Sequence, residues 1–227
     1  MLEPLKRPEG EGLLLVDKPV GPSSARVVSI VKRACGVRRV GHGGTLDPFA
    51  SGLLPVLMGR RFTREAGSLL GGDKEYVLTL RLGSETDTLD FTGQVISRGE
   101  GPLPSGHDVS AVLGRFEGVI DQKAPAYSAL KLDGRPLYWY ARRGIKVAAP
   151  TRKVEIHQIV MEEFLSPDVK LRVVCGKGTY MRALGRDIGR ALGCLGHLTA
   201  LRRIRVGPYS VDQALPLWRI SAVKGGG

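Results

Sequence analysis

The segment GHGGTLDPFASG, from Gly41 to Gly52, is rich in glycine and carries a single acidic residue, Asp47. Because glycine has no Cβ atom, the backbone beside Asp47 can adopt unusual dihedral angles and approach a ligand closely. The same pattern also fits a purely structural residue, since Asp before Pro is a common turn or helix-cap signal. From these residues alone, Asp47 is either a catalytic carboxylate or a turn residue.

A second glycine-containing segment, CGKGTYMR, spans Cys175–Arg182. It is not a phosphate-binding loop, because that motif needs Ser or Thr where this chain has Gly178 and a glycine where it has Leu171. We interpret it as a glycine turn leading into a helix capped by Thr179, with Arg182 directed towards a cleft. A guanidinium there can pair with a carboxylate and keep it ionised, although a solvated arginine is the alternative.

The segment Thr179–Leu192 has the clearest helical pattern in the chain. Large aliphatic residues recur every fourth position on one face, and arginines recur at the same spacing on another. The aliphatic residues are Leu184, Ile188 and Leu192, and the arginines are Arg182, Arg186 and Arg190. The pattern predicts a helix with one apolar and one strongly cationic face, ended by Gly193.

Elsewhere, strand-like segments predominate and helices interrupt them. The predicted strands include Leu13–Val16, Tyr76–Leu82, Gln94–Ser97, and a pair formed by Val154–Phe164 and Val169–Cys175. The predicted helices include one capped by Ser23 or Ser24 and running to about Ala34, and a short one at Ser110–Phe116. Since no alternating βαβα rhythm or repeat is present, the sequence predicts an α+β fold with a mixed, largely antiparallel central sheet flanked by helices.

The 227 residues carry a formal net charge of +12, which favours a polyanionic partner. The excess is concentrated in two segments, Lys123–Lys153 and Leu171–Arg205, each with eight Lys or Arg against one acid. This distribution is expected of a surface that faces nucleic acid. A basic soluble protein with no such partner is the alternative.

Two aromatic features suit RNA. Tyr138, Trp139 and Tyr140 lie among cations in Lys123–Pro150, which we interpret as an insertion or a mobile arm. Bases can stack on such rings while phosphates are neutralised. Tyr76 lies on a predicted strand and could stack on a base or transfer a proton. Packing in the core is the alternative explanation for all of these rings.

Metal and membrane functions are not expected. The three cysteines lack CxxC spacing, which fits reduced thiols in a cytoplasmic protein rather than a zinc site. Glu85, Asp87 and Asp90 lack the glycine and the closing glutamate of a calcium loop. Apolar runs are too short to cross a bilayer, and no secretion signal is recognisable.

Seven separate segments match one family, in order. The sequence resembles the TruB family of tRNA pseudouridine synthases from about Gly12 to about Tyr209. The segments are Gly12–Pro19 with Gly21 and Ser23–Ser24, His42–Pro55, Lys74–Tyr76, Ser84–Thr88, Pro125–Lys131, Gly178–Arg182 and the stretch ending Leu201–Arg203. Each segment alone would be weak, whereas all seven together are highly specific.

The resemblance implies the residue roles. Asp47 corresponds to the catalytic aspartate, Tyr76 to the tyrosine that stacks on the flipped base and is implicated in proton removal from C5, and Arg182 to the arginine paired with that aspartate. Substrate-binding roles are implied for His42, Thr45, Lys131, Tyr180 and Leu201. His42 would help to displace the target nucleotide, and Lys18 of the Lys-Pro motif would be mainly structural.

The resemblance also implies the pseudouridine synthase fold, and it makes Lys123–Pro150 the RNA-gripping arm. The implied reaction converts a T-loop uridine, tRNA position 55, by base flipping and covalent catalysis. Since reactant and product contain the same atoms, no metal, cofactor or ATP is expected. The partner would be the T-arm of tRNA, and a cytoplasmic monomer needing no protein partner is expected.

The chain departs from the family in two places. Arg60-Arg61-Phe62-Thr63-Arg64 replaces a short Ala-Thr-Lys pattern and either adds phosphate contacts or alters packing. The chain also stops soon after Ile220, where many members carry a further RNA-binding domain. We therefore expect residues 1–227 to form one catalytic domain, with the arm at 123–150 and a weaker grip on the tRNA stem.

Two other functions remain open. One is the catalytic subunit of a guide-RNA-directed particle, which would need a further RNA-binding domain. The other is a non-catalytic module that binds RNA and assists tRNA folding, in which the cleft has no chemical role.

Overall fold

A computed structural model describes residues 11–65, 67 and 71–221. Its strands are β1 Gly12–Lys18, β2 Val40–His42, β3 Ser51–Met58, β4 Lys74–Leu82, β5 Ser84–Thr86, β6 Val95–Arg98, β7 Gly118–Lys123, β8 Lys131–Leu132, β9 Arg135–Pro136, β10 Thr151–Leu165, β11 Asp168–Cys175, β12 Gly196–Val206, β13 Tyr209–Ser210 and β14 Leu215–Pro216. Its helices are α1 Ser24–Cys35, α2 Arg60–Arg64, α3 Gly106–Leu113, α4 Leu137–Ala141, α5 Met181–Ala191 and α6 Leu217–Ser221.

The chain divides into two compact units, Met1–Tyr76 with Arg202–Gly227, and Val77–Leu201. Strands β4 and β12 contribute residues to both units. The mixed α+β class with a largely antiparallel sheet and flanking helices, predicted from the sequence, is confirmed. The prediction of one catalytic domain with an inserted arm stays a prediction.

In the first unit the strand order is β14–β1–β3–β12, with β2 paired to β3 and β13 to β12. Strand β3 is a nearly continuous apolar run and is buried along its length, as expected of a central strand. Its pairing with β12 brings Gly52 opposite Arg203. A Cβ atom on Gly52 would lie 2.2 Å from the Arg203 carbonyl oxygen, so only glycine fits there.

In the second unit the order is β12–β4–β11–β10–β7. The predicted strand pair is confirmed, because β10 and β11 form a long antiparallel ladder, and β7 adds to the other side of β10. Alternate residues of β11 are buried, namely Val169, Leu171, Val173 and Cys175. This period of two matches a strand with one face towards the core.

The helix predicted after Ser23 is confirmed as α1. The Ser23 hydroxyl accepts a hydrogen bond from the Arg26 amide, and Gly36 takes the left-handed conformation that ends the helix. The helix predicted at Ser110–Phe116 begins earlier than expected. Ser105 caps α3 in a reciprocal capping box with Asp108, so Ser110 is not the cap.

The departure at Arg60–Arg64 forms the short helix α2. Phe62 packs against the core cluster of Leu53, Leu57 and Val206, whereas Arg60, Arg61 and Arg64 are exposed. The two alternatives for this segment therefore concern different residues. The exposed arginines are available for phosphate contacts, whereas the phenylalanine changes the packing.

Candidate active site

Asp47 lies in a turn between β2 and β3, in the first unit. The Asp47 carbonyl accepts a hydrogen bond from the Ala50 amide at 3.1 Å, which closes the turn. Leu46 and Phe49 are buried on either side, whereas Asp47 itself is half-buried. The two neighbouring side chains therefore anchor the turn in the core, and Asp47 between them stays partly exposed.

The backbone before Asp47 is fixed by one hydroxyl. The buried Ser24 Oγ accepts from the Leu46 amide and donates to the Leu46 carbonyl, both at 2.9 Å. A buried polar group satisfied in both directions is held firmly, because releasing it would leave three polar atoms without partners. The Ser23–Ser24 pair of the resemblance thus serves two purposes, since Ser23 caps α1 and Ser24 positions Leu46.

The backbone after Asp47 is fixed by Lys18. This lysine is fully buried, and its Nζ donates to the carbonyls of Pro19 and Pro22 at 2.9 Å and of Pro48 at 3.4 Å. The Gly21 amide also donates to the Pro48 carbonyl, at 2.8 Å. The Lys-Pro motif therefore ties the loop after β1 to the residue that follows Asp47.

The electrostatics of this group are unusual. Burial lowers the pKa of Lys18 to about 8; the Asp47 carboxylate opposes the shift and the Arg203 guanidinium adds to it. A lysine with that pKa still carries most of its positive charge at pH 7. Asp47 therefore has a buried cation within electrostatic reach in its own unit.

His42 and Thr45 lie on the same glycine-rich segment. Burial and, to a smaller extent, Arg203 lower the pKa of His42 below 6.5, so the imidazole is neutral at pH 7. Its Nδ1 is buried without a hydrogen-bond partner among the described residues. Thr45 is exposed, and Tyr76 on β4 is 7% exposed. Tyr76 is therefore largely enclosed.

Arg182 lies at the start of α5, in the second unit, and is 4% exposed. Its guanidinium donates to the Thr88 and Tyr127 carbonyls, both at 2.8 Å, and its Nε lies 3.8 Å from Asp90 Oδ2. The alternative of a solvated arginine is wrong. The pairing of Arg182 with Asp47 stays a prediction.

Asp90 was not expected to have this role. One of its carboxylate oxygens accepts from the Thr92 amide and the Thr88 hydroxyl, both at 2.9 Å, which leaves the other oxygen for Arg182. The carboxylate is thus oriented by its own turn before it meets the guanidinium. The segment Ser84–Thr88 in the resemblance was the available signal, because it leads directly into this turn.

The start of α5 differs from the prediction. The N-cap residue is Tyr180, and Thr179 instead donates its hydroxyl to the Gly176 carbonyl at 3.1 Å. The Tyr180 side chain makes no capping hydrogen bond, and the Tyr180 amide donates to Oε1 of the buried Gln122 on β7 at 2.8 Å. Tyr180 is half-buried, Leu201 is buried on β12, and Lys131 is exposed on β8 in the arm.

The three arginines predicted to form a cationic face lie on α5, and the structure pairs them with groups of the protein. Arg182 and Arg186 are buried, and Arg186 donates to Asp187 at 2.8 Å and to the Lys123 carbonyl at 3.1 Å. Arg190 makes a two-pronged contact with the buried Glu85, at 2.7 and 2.8 Å. This helix face holds the second unit together and does not present free charge.

The three carboxylates considered for calcium have separate partners. Glu85 binds Arg190, Asp90 meets Arg182, and Asp87 accepts from the Gln94 amide at 2.8 Å and the Tyr127 hydroxyl at 3.4 Å. Within the part of the chain that the structure describes, no group of three or more His, Cys, Asp or Glu could hold a metal ion. In the same part, no helix is long and apolar enough to cross a membrane.

Comparison with known proteins agrees with this architecture. Residues 32–181 match the model of the TruB family pseudouridylate synthase N-terminal domain, and residues 182–224 match that of the tRNA pseudouridylate synthase B C-terminal domain. The tRNA pseudouridine synthase B of Bordetella avium is 48% identical over 215 residues, which cover 94% of this chain and 88% of the relative. That of Desulfotalea psychrophila is 47% identical over 209 residues, covering 90% and 85%.

Among solved structures, a Cbf5–Nop10–Gar1 complex matches with a TM-score of 0.70 and 34% identity. The match covers 91% of this chain and 52% of that chain, so this chain spans about half of it. Fold and site together define a pseudouridine synthase. The family model matches most of the chain, and the relatives are nearly half identical over 85% or more of their length. The chain therefore belongs to the TruB family.

Proposed function

We propose that the protein isomerises a T-loop uridine of tRNA, at position 55, to pseudouridine, with Asp47 as the nucleophile. The relatives that it matches over most of their length are tRNA pseudouridine synthases B. The observation that carries the proposal is the double anchoring of the Asp47 turn, by Ser24 on one side and Lys18 on the other. A merely structural Asp-Pro turn needs neither anchor.

The proposed chemistry is compatible with these residues. The bond between N1 of the base and C1′ of the ribose breaks, the base rotates, and a bond forms between C5 and C1′, while the C5 proton is lost and N1 gains one. Asp47 supplies the carboxylate for covalent catalysis beside the ribose. Arg182 would stabilise that carboxylate in its charged form, and Tyr76 would stack on the flipped base.

Substrate binding completes the proposal. His42, which is neutral at pH 7, and Thr45 would contact the displaced nucleotide, and Tyr180 and Leu201 would line the base pocket. Lys131 would bind the RNA from the arm. Flipping a base costs a few kcal/mol, which is least for a loop nucleotide, and phosphate contacts can offset it. Such an enzyme would act in the cytoplasm as a monomer, without a metal or cofactor.

Substitution of Asp47 tests the nucleophile. We expect Asp47→Asn to reduce pseudouridine formation at position 55 at least about a thousandfold, because an amide of the same shape cannot act as the nucleophile. Product is mapped at nucleotide resolution on unmodified tRNA, and tRNA affinity should stay within about twofold. The matched control is Asp121→Asn, at an exposed acid on β7. Turnover by Asp47→Asn close to that of the control would overturn the assignment.

The same assay separates the two alternatives. A guide-directed catalytic subunit, to which the 34% identical structural match relates, would leave bare tRNA unmodified. If the protein were a folding module, the wild-type chain and the Asp47→Asn variant would assist tRNA folding equally well. Neither of them would form pseudouridine. If the wild-type chain modifies bare tRNA and the Asp47→Asn variant does not, neither alternative is the main function.

A further inference from the structure

The arm contains an arginine–tryptophan–arginine stack. The Cζ atoms of Arg135 and Arg143 both lie 4.0 Å from the centroid of the Trp139 ring. One arginine comes four residues before the tryptophan and the other four residues after it. Two guanidinium groups cannot lie directly over one face at that distance without overlapping, so we infer that they cover opposite faces of the indole.

This stack changes the meaning of the aromatic residues in the arm. The sequence alone suggested that Trp139 could stack on an RNA base. Because guanidinium groups occupy the ring, a base would first have to displace one of them. The indole therefore positions the two guanidinium groups, and the arginines, not the tryptophan, are available to bind RNA here.

The tryptophan itself is well held. It lies on α4, whose first residue, Leu137, is 1% exposed and donates its amide to the Leu130 carbonyl at 2.8 Å. Tyr140 meets the edge of the Trp139 ring at a centroid distance of 5.0 Å, and its hydroxyl donates to the Leu132 carbonyl at 3.1 Å. The stack therefore rests on a fixed platform that orders two long side chains before any ligand arrives.

The charges of the stack are not neutralised locally. Among the described residues, no carboxylate pairs with Arg135 or Arg143, and Asp133 is the one acid in the sequence Lys123–Lys153. Stacking occupies the flat face of a guanidinium and leaves the N–H groups in its plane available. Within the described residues only one of these N–H groups is used, by Arg143 Nη1 to the Trp139 carbonyl at 3.4 Å. Such free, coplanar donors match the oxygens of a phosphate group.

We propose that Arg135 and Arg143 form a preassembled clamp for the phosphate backbone of RNA, with Trp139 as its positioning residue. The clamp reads charge and spacing and not base identity. That the RNA is tRNA rests on the proposed function above. Holding both arginines in place reduces the ordering that binding must otherwise impose on them.

The test is a double-mutant cycle on tRNA affinity, measured with the full chain from about 50 to about 250 mM KCl, a range over which phosphate contacts weaken strongly. The variants are Arg135→Gln/Arg143→Gln, Trp139→Leu, Trp139→Phe and the combination of Trp139→Leu with both glutamines. We expect the double glutamine variant to weaken binding about tenfold at low salt and to reduce the slope of log affinity against log salt by about 1.5.

Trp139→Leu should weaken affinity about fivefold, whereas Trp139→Phe, which keeps an aromatic face, should stay within about twofold of wild type. In the double glutamine background, Trp139→Leu should have no further effect, because its partners are already absent. The control is Trp218→Leu at the other tryptophan, whose ring has a guanidinium carbon at 5.7 Å, and it should leave affinity unchanged.

Two results would overturn the clamp. One is a full additional loss from Trp139→Leu in the double glutamine background, which would mean base stacking or packing. The other is an unchanged salt slope in the double glutamine variant. The clamp is tested by tRNA affinity, whereas the proposed function is tested by product formation. Failure of the clamp is therefore distinguishable from failure of Asp47→Asn to abolish pseudouridine formation.

Discussion

The segments Lys123–Lys153 and Leu171–Arg205 have the same net charge in the sequence, but their cations have different partners in the structure. In the second segment seven of eight cations bind acids or carbonyls: Arg172 to Glu162, Arg182 to Asp90, Arg186 to Asp187, Arg190 to Glu85, Arg202 to Asp17, Arg205 to Glu75, and Arg203 to backbone carbonyls. In the first segment no cation pairs with a carboxylate among the residues described, and three guanidinium groups stack on aromatic rings.

The difference shows where the positive charge is available. Most acids that pair with the arginines of Leu171–Arg205 come from distant positions, including Glu85 and Asp90. Counting charge in a local window therefore overestimates the RNA-binding surface there. Arginines with internal partners should contribute to folding, and arginines without them should contribute to binding tRNA.

The largest effect should come from a buried arginine. Arg203 is 1% exposed and donates to the Leu53 carbonyl at 2.8 Å and the Gly44 carbonyl at 3.0 Å. We expect Arg203→Met to lower the free energy of unfolding by about 3 kcal/mol, because two carbonyls lose their donor inside the protein. Arg135→Met should change it by less than about 0.5 kcal/mol. Urea denaturation measures both, and equal losses would contradict the contrast.

The buried cation Lys18 should also make the stability of the protein depend on pH. Since the pKa of Lys18 is lowered to about 8, the folded state releases this proton before the unfolded state, whose lysine titrates near its ordinary value of 10.5. The unfolded state then binds more protons, so this group makes stability rise as pH increases from about 8 to 10.5, with a limiting slope of about 1.4 kcal/mol per pH unit.

Lys18→Met removes that contribution. The measurement is the free energy of unfolding of wild type and variant between about pH 7 and pH 10.5, taken as a difference so that other groups cancel. Lys131→Met, at an exposed lysine of the arm, is the control for replacing a lysine by methionine. Parallel curves for all three proteins would show that the Lys18 pKa is not lowered.

The smallest effect should come from α2. Arg60, Arg61 and Arg64 are exposed, and the pair between Arg61 and Glu65 is weak because its side chains are 77% and 49% exposed. We expect Arg60→Gln/Arg61→Gln/Arg64→Gln to weaken tRNA binding about threefold at low salt and to leave the unfolding midpoint unchanged. Unchanged tRNA affinity would show that exposure alone does not make an arginine part of the interface.

Periodicity gave the long elements correctly, including α1, α5 and the β10–β11 pair, because their apolar patterns are local. It missed features set by distant residues. Thr179 is not the cap that the sequence predicts, and the amide of the actual N-cap residue, Tyr180, binds Gln122, which lies 58 positions away. The pairing of the cationic face of α5 with acids could not be recognised, since Glu85 lies 105 positions from Arg190.

The candidate site was predicted by resemblance more than by residue chemistry. Asp47, His42 and Thr45 share one segment in the first unit, and Arg182 and Tyr180 are neighbours in the second. A mainly structural role was expected for Lys18, whereas the contacts of Ser24 and Arg203 with the site were not predicted. Ser24 and Arg203 act through backbone carbonyls or amides, and such contacts leave no pattern in the spacing of side chains. The pairing of Asp47 with Arg182 remains a prediction.

Ser24 is the first residue of α1 and binds both peptide groups of Leu46. Fraying of that first helical turn and loosening of the backbone next to Asp47 are therefore a single cooperative event. A fluctuation that opened the turn alone would leave the hydroxyl and its two partners dry and unbonded. The backbone beside the carboxylate is thus held by its attachment to a helix, although Asp47 lies on a glycine-rich loop.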